Sequence, residues 1–399
     1  MRTDEVEPGL LEHARVPFVS YPYEWTFSML RDAALLQLRL LRLALDEGLT
    51  MKDASPYNVQ WRGAEPVFID VGSFERPGEG EPWAGYRQFC ALYLYPLLLQ
   101  AYKGVPFQPW LRGSLDGIEP GDARALMSAR DLLRRGVLTH VVLHSRLERR
   151  HAERPASVRA ELREAGFKHE LVAANVRRLE KLVRRLEWKP GASGWSAYGA
   201  ATSYAEDDAA RKEAFVREAL AARDWRLAWD LGSNDGRFAR IAAERAGYVL
   251  ALDGDTVVLD RLYQELRAAG DTRVQPLLVD LADPSPARGW RGVERGTLEA
   301  RGRPDLVLCL ALLHHLAIAR NVPLEELVAW LRDLGATLVV EFVDPADPQA
   351  QRLLAAKRPG AHGDYTRQRF ERLLGDALEV ERSETLGSGT RTLYLARPR

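Results

Sequence analysis

Residues 229–238, WDLGSNDGRF, place an acid and two glycines between an apolar run and the first turn of a helical pattern. Asp230 falls at the carboxyl end of the run. Gly232 permits a sharp backbone turn, and Gly236 would let the following helix approach a ligand with no Cβ in the way. In an open α/β sheet, ligands sit beyond the carboxyl ends of the strands, where short loops and helix N-termini present backbone N–H groups. The spacing D-x-G-x-x-x-G differs from the G-x-G-x-x-G of a dinucleotide site and reserves no row of amides for a pyrophosphate. A carboxylate at that mouth repels phosphate but holds an ammonium group, directly or through water.

Two further acids end the next two apolar runs. Asp253, in YVLALDGD, follows the glycine turn by about twenty residues, where a carboxylate can accept both hydroxyls of a ribose. Asp280, in LLVDLADP, can accept a hydrogen bond from an exocyclic amine such as that of adenine. An amino-acid end, a ribose and an adenine together describe S-adenosylmethionine. With DLVLCLALLHHL as a fourth strand and its loop, these residues resemble the class I S-adenosylmethionine-dependent methyltransferases over roughly residues 195–399. The resemblance implies methionine-side contacts from Asp230, Gly232, Asn234 and Gly236. It also implies ribose contact by Asp253, adenine contact by Asp280 with Leu281, and cofactor contact by Ala311.

The sulfonium of such a cofactor already activates its methyl group, so the protein must align an acceptor and, where needed, remove a proton. His314 and His315, in ALLHHLAI, are the candidate catalytic bases, because neutral imidazole is available near pH 7. The alternative reading is that one histidine serves only packing or a backbone hydrogen bond. No Asn-Pro-Pro-Tyr type motif follows the fourth run, which favours oxygen or carbon acceptors on a small molecule or peptide. Glu341, ending EFVD, is either a substrate contact or a solvated strand cap. Trp195, Tyr198 and Tyr204 precede the fold and receive no role, nor do Asp364 and Tyr365.

The elements that must position these groups alternate. LAWDLG, YVLALD, RVQPLLVD, DLVLCLALL and ATLVVEFV read as strands, with helical patterns between most of them, and LEVERSETL and TRTLYLARP form a hairpin through GSG. The expected fold class is therefore α/β, a Rossmann-like sheet of seven strands following a mainly helical N-terminal half. The boundaries read as residues 1–150, a basic helical linker over 151–194, and 195–399. Within the linker Val172, Val176, Leu179, Val183 and Leu186 mark one apolar helix face. From Arg146 to Lys189 thirteen Lys or Arg stand against seven Glu, so this stretch is either a solvated basic face or a surface for an acidic ligand.

The N-terminal half carries Asp53 and Asn58 spaced D-x-x-x-x-N, with Asp70 twelve residues later at the end of PVFID. In phosphoryl transfer an Asp orients the attacking hydroxyl while an Asn and a second Asp bind magnesium. The segment resembles the larger lobe of protein kinases and related small-molecule phosphotransferases over roughly residues 15–150. LRDAALLQLRLLRLALDEGL would be the helix leading into that loop and YRQFCALYLYPLLLQAY a later one. Lys52 stands where that family has Arg, Gly72 follows Asp70 with Val71 between, and no glycine-rich phosphate loop lies upstream. The reading is a degenerate or truncated kinase-like module that binds a substrate or partner. Asn58 and Asp70 are metal ligands only if this half is an active phosphotransferase, and otherwise no metal is expected. A turn, a cap and a strand end with no ligand remain an open reading.

Whole-chain properties bound the rest. Fifty-six Lys plus Arg balance fifty-six Asp plus Glu, so a nucleic-acid partner is not expected. Cys90 and Cys309 lie in apolar runs and read as buried thiols, which suits the cytoplasm. No apolar run approaches the roughly 18 residues of a membrane span. The rival functions are a phosphotransferase with an accessory cofactor domain and a non-enzymatic, cofactor-sensing interaction protein.

Overall fold

A computed structural model describes residues 3–7, 10–78, 81–153, 169–191 and 206–399. Trp195, Tyr198 and Tyr204, and much of the segment read as a linker, lie outside these residues. The chain divides into two compact units, Met1–Trp61 with Pro66–Gly191, and Arg62–Glu65 with Ala192–Arg399.

The first unit is built on helix α1 (Phe27–Asp46), whose first turn is capped by Thr26, its hydroxyl accepting from the Met29 N–H at 3.3 Å. Its buried row includes Leu30, Ala34, Leu38, Leu41 and Leu45, the i, i+4, i+3 spacing of one face. The short strand β1 (Thr50–Met51) pairs antiparallel with β2 (Phe74–Glu75). Residues 86–103 continue as helix, with one wider turn at Cys90–Leu94 leading into α2 (Tyr95–Lys103). Helix α3 (His169–Arg184), placed by the sequence in a linker, packs along α1 within this unit. Val176, Leu179 and Val183 on it are fully buried. The apolar face that marked it as a helix is the face it buries.

The second unit opens with helix α4 (Glu206–Leu220) and alternates as the sequence pattern requires. Strands β3 (Trp225–Leu231), β4 (Ala246–Asp253), β5 (Val274–Leu278), β6 (Leu306–Cys309) and β7 (Thr337–Val343) run parallel. The hairpin β8 (Glu379–Thr385) and β9 (Arg391–Arg397) follows, with β9 antiparallel to β7. The sheet order is β8-β9-β7-β6-β3-β4-β5. The fold is α/β with a seven-stranded mixed sheet, Rossmann-like in its parallel part.

Helix α5 (Arg237–Ala242) follows the glycine turn and α6 (Thr256–Ala269) follows β4. The inner strands are buried on both sides, as the unbroken apolar runs of β4 and β6 indicate. The chain order reverses between β3 and β6, so the carboxyl ends of β3, β4 and β6 flank a topological switch point. Asp208 on α4 fixes the far hairpin: its carboxylate accepts from Gly387 N at 2.6 Å and Ser388 N at 3.0 Å.

Candidate functional site

The turn after β3 is held by backbone bonds to the neighbouring strand. Gly232 N and Ser233 N both donate to the Leu252 carbonyl, at 2.8 and 3.0 Å, and Gly236 N donates to Ser233 O at 2.8 Å. Gly232, Asn234 and Gly236 have φ of 71°, 48° and 75°, so every second residue of the turn is left-handed. Asn234 N donates to Asp253 Oδ2 at 2.8 Å, while Asp253 Oδ1 accepts from Asp255 N at 2.8 Å. The two strand ends are thereby stitched into one surface. Remaining lone pairs on the Asp253 carboxylate can still accept hydroxyls.

Gly236 also meets a packing requirement that its position in the motif does not reveal. A Cβ built there would lie 2.5 Å from Leu262 Cδ1, and Leu262 is buried in α6. The missing side chain makes room for a neighbouring helix, a packing requirement beside the ligand clearance expected from the sequence. Gly236→Ala should cost about 2 kcal/mol of stability, from positive φ and overpacking together. Urea denaturation checks this, and wild-type stability in the variant would refute it. Gly232 is looser, its built Cβ standing 3.2 Å from Leu312 Cδ1.

Asp230 is buried, and among the described residues its Oδ2 has no hydrogen-bond partner. Burial pushes its carboxyl up to about 7, opposed by Lys212 and reinforced by Asp253. Burial likewise raises Asp253 above the usual carboxylate range, offset by backbone donors at Asp255, Asn234 and Gly254. Ser233 Oγ and Asp255 Oδ2 are also buried without a partner. The other oxygen of Asp255 caps α6 through Val257 N and Val258 N, at 2.8 and 3.1 Å. Three orphan polar atoms therefore gather along the carboxyl edges of β3 and β4, where unmade hydrogen bonds each cost about 1–3 kcal/mol. Sequence reasoning missed Ser233 and Asp255. The helix-capping position of Asp255 masked its second oxygen, and Ser233 sat unremarked inside the glycine motif.

Asp280 is engaged elsewhere. Its Oδ1 accepts from Ala282 N at 3.0 Å and its Oδ2 pairs with Arg320, both side chains being about half exposed. An adenine amine would share this carboxylate with a guanidinium. Leu281 is half-buried in the adjoining turn, and Ala311, just past β6, holds a left-handed φ of 52°. That strained non-glycine corner turns the chain toward the two histidines.

His314 and His315 are both buried, with ring centroids 4.0 Å apart. Burial pushes His314 well below the usual range, helped by His315, Arg391 and Lys212. Burial and then Arg391 bring His315 down to about 4. Both are neutral at pH 7, and both are weaker bases than an exposed imidazole. Behind them lies a charge cluster that motif reading did not reveal. Lys212 Nζ meets Glu341 Oε2 at 2.7 Å, and Arg391 lies 3.5 Å from Glu341 and 2.8 Å from Asp347. All four are buried. Glu341 is thus neither solvated nor a simple cap. Tyr365 is buried too, donating to Val343 O at 2.9 Å.

In the first unit, Asn58 Nδ2 donates to Asp70 Oδ2 at 3.2 Å. Asp53 Oδ1 accepts from Ser55 N at 3.1 Å, and Lys52 N donates to Ser73 O at 2.9 Å. The structure brings Asn58 and Asp70 together and ties the two ends of their loop through β1 and β2. Among the described residues no group of three or more His, Cys, Asp or Glu is arranged to hold a metal. No described helix is long and apolar enough to cross a membrane.

The chain is 34% identical over 393 residues to the nodulation protein NoeA of Rhizobium meliloti strain 1021, covering 96% of this chain and 81% of that protein. No family model matches. Among solved structures, the N-methyltransferase NodS of Bradyrhizobium japonicum WM9, in complex with S-adenosyl-L-homocysteine, aligns at 14% identity. That alignment has a TM-score of 0.36 and covers 51% of this chain and 98% of NodS. An S-adenosylmethionine-dependent methyltransferase from Aquifex aeolicus aligns at 17% identity and a TM-score of 0.32, over 48% of this chain and 94% of that one.

Proposed function

The chain belongs to the family of the nodulation protein NoeA, and from that premise we propose that it is an S-adenosylmethionine-dependent methyltransferase acting on a small-molecule or peptide acceptor. The observation that carries this reading is the set of orphan polar atoms on Asp230, Ser233 and Asp255 at the switch point of the sheet. Their donor–acceptor chemistry suits the cofactor. Asp230 would hold the cationic amino-acid end, with Ser233 and the turn of Gly232, Asn234 and Gly236 around it. Asp253, with the second oxygen of Asp255 nearby in sequence, would accept the ribose hydroxyls, and Asp280 with Leu281 would border the adenine. The bound cofactor supplies an electrophilic methyl group. The protein's own work is to hold the acceptor in line and keep water out.

Ala311 would border the methyl side of the site. His314 and His315 are proposed there as acceptor-side groups, their neutral state leaving a ring nitrogen able to take or share the acceptor's proton. Oxygen and carbon acceptors fit this reading, since each loses a proton on methylation that a neutral imidazole can accept. Nodulation names a process and no acceptor atom.

Calorimetry with S-adenosylhomocysteine tests the site directly. Asp253→Ala should weaken binding at least tenfold, because it removes two anchors of the turn as well as the ribose acceptor. Equal affinity in both proteins would remove the ribose assignment. For the first unit, the Asn58–Asp70 contact favours a second reading, a kinase-like module of the larger-lobe type that holds a substrate or partner. Its phosphotransferase alternative requires magnesium-dependent nucleotide binding.

A further inference from the structure

Between α1 and α3, wholly within the first unit, lies a groove of about 500 Å³ lined by Arg42, Arg177, Glu180, Lys181, Arg184 and Arg185. Five cations and one carboxylate give a net charge of four positive, in a chain whose charged residues cancel overall. The groove is therefore a local device, and the general composition does not explain it. Glu180 accounts for two of the cations, lying 2.7 Å from Arg184 and 3.7 Å from Arg42. Among the described residues Arg177, Lys181 and Arg185 have no acidic partner.

Arg177 and Lys181 stand at i and i+4 on α3, and Arg185 follows in the turn just past its last residue, Arg184. Like charges at i, i+4 disfavour a helix by a few tenths of a kcal/mol per pair. The opposite face of α3, with Val176, Leu179 and Val183, is buried, as is Leu186 just beyond it, so packing fixes the helix and its charges cannot turn away as a group. A rigid concave row of uncompensated cations concentrates anions. Arginine adds planar donors that match phosphate oxygens in pairs. A volume of this size fits a small molecule better than a polymer.

We propose that this groove is a binding site for a small, multiply charged phosphate-bearing ligand, held by Arg177, Lys181 and Arg185 with Arg42, Arg184 and Glu180 forming its fixed wall.

Tripolyphosphate is the probe, titrated calorimetrically into the full-length protein at low and at 0.5 M salt. The wild type should bind it, and high salt should weaken the affinity at least tenfold. The variant Arg177→Gln/Lys181→Gln/Arg185→Gln changes only exposed positions and should lose at least tenfold in affinity. Its S-adenosylhomocysteine binding, read in the same samples, should be unchanged and reports that the protein is folded. Absence of tripolyphosphate binding, equal affinity in the variant, or tighter binding of a short single-stranded RNA than of tripolyphosphate would each overturn the proposal.

Discussion

Asp230→Asn should make the protein more stable at pH 8 and at the same time weaken its affinity for S-adenosylmethionine by ten- to a hundredfold. The two effects share one cause. Burial without a partner for Oδ2 pushes the folded-state pKa of Asp230 up to about 7, against an ordinary Asp in the unfolded chain. Between about pH 4 and pH 7 the folded state binds this proton more tightly than the unfolded state does. Stability therefore falls as pH rises through that window and is level above it. An asparagine is neutral throughout, so it gains nothing at pH 4 and regains about 1–3 kcal/mol at pH 8, after allowing for imperfect bonding of its amide. A bound cation reverses the balance, since it needs the carboxylate. Wild-type affinity should accordingly rise from pH 6 to pH 8 and level off, whereas the variant should bind weakly and without that slope. Thermal melts at pH 4 and pH 8, with calorimetry across the range, read both signs. A lower melting temperature for Asp230→Asn at pH 8, or an unchanged affinity, would make Asp230 an ordinary core acid.

The legibility of this site in the sequence followed the range of the interactions involved. The parallel strands announce themselves as short apolar runs, and the glycine turn as residues able to take positive φ, because both are local consequences of backbone sterics and burial. Asp230 and Asp253 could be found since each ends a strand and strand ends are countable. Asp280 could be placed but not oriented, for its pairing with Arg320 spans forty residues and leaves no local mark. Gly236 was legible as a glycine that must be one, though its partner Leu262 on the next helix was not. The cluster of Lys212, Glu341, Asp347 and Arg391 draws on α4, β7, the loop after β7 and β9. No spacing rule links such positions, and each alone reads as a surface charge. In the first half, the apolar stripe of α3 was visible, but only packing shows that it belongs with α1.

That cluster sets the second large expectation. Lys212→Met leaves the Glu341 carboxylate buried with Arg391 at 3.5 Å, while Arg391 is already committed at closer range to Asp347. Removing one partner from a buried pair costs about 3–5 kcal/mol, most of it the desolvation of the charge left behind. The double variant Lys212→Met/Glu341→Leu removes both charges, leaves Arg391 with its bidentate Asp347 contact, and should recover at least half of that loss. A urea double-mutant cycle measures the coupling, and additive single effects would show that the pair contributes no interaction energy of its own. Lys212 also lowers the pKa of Asp230, so its loss reaches the site. In the double variant the pH at which cofactor affinity levels off should move upward from about 7, with the affinity at high pH approaching wild type. A structural pair distant from the chemistry would change stability and leave that midpoint where it was. The cycle and the midpoint together therefore separate a pair that only holds β7 to α4 from one that also keeps Asp230 ready for a cation.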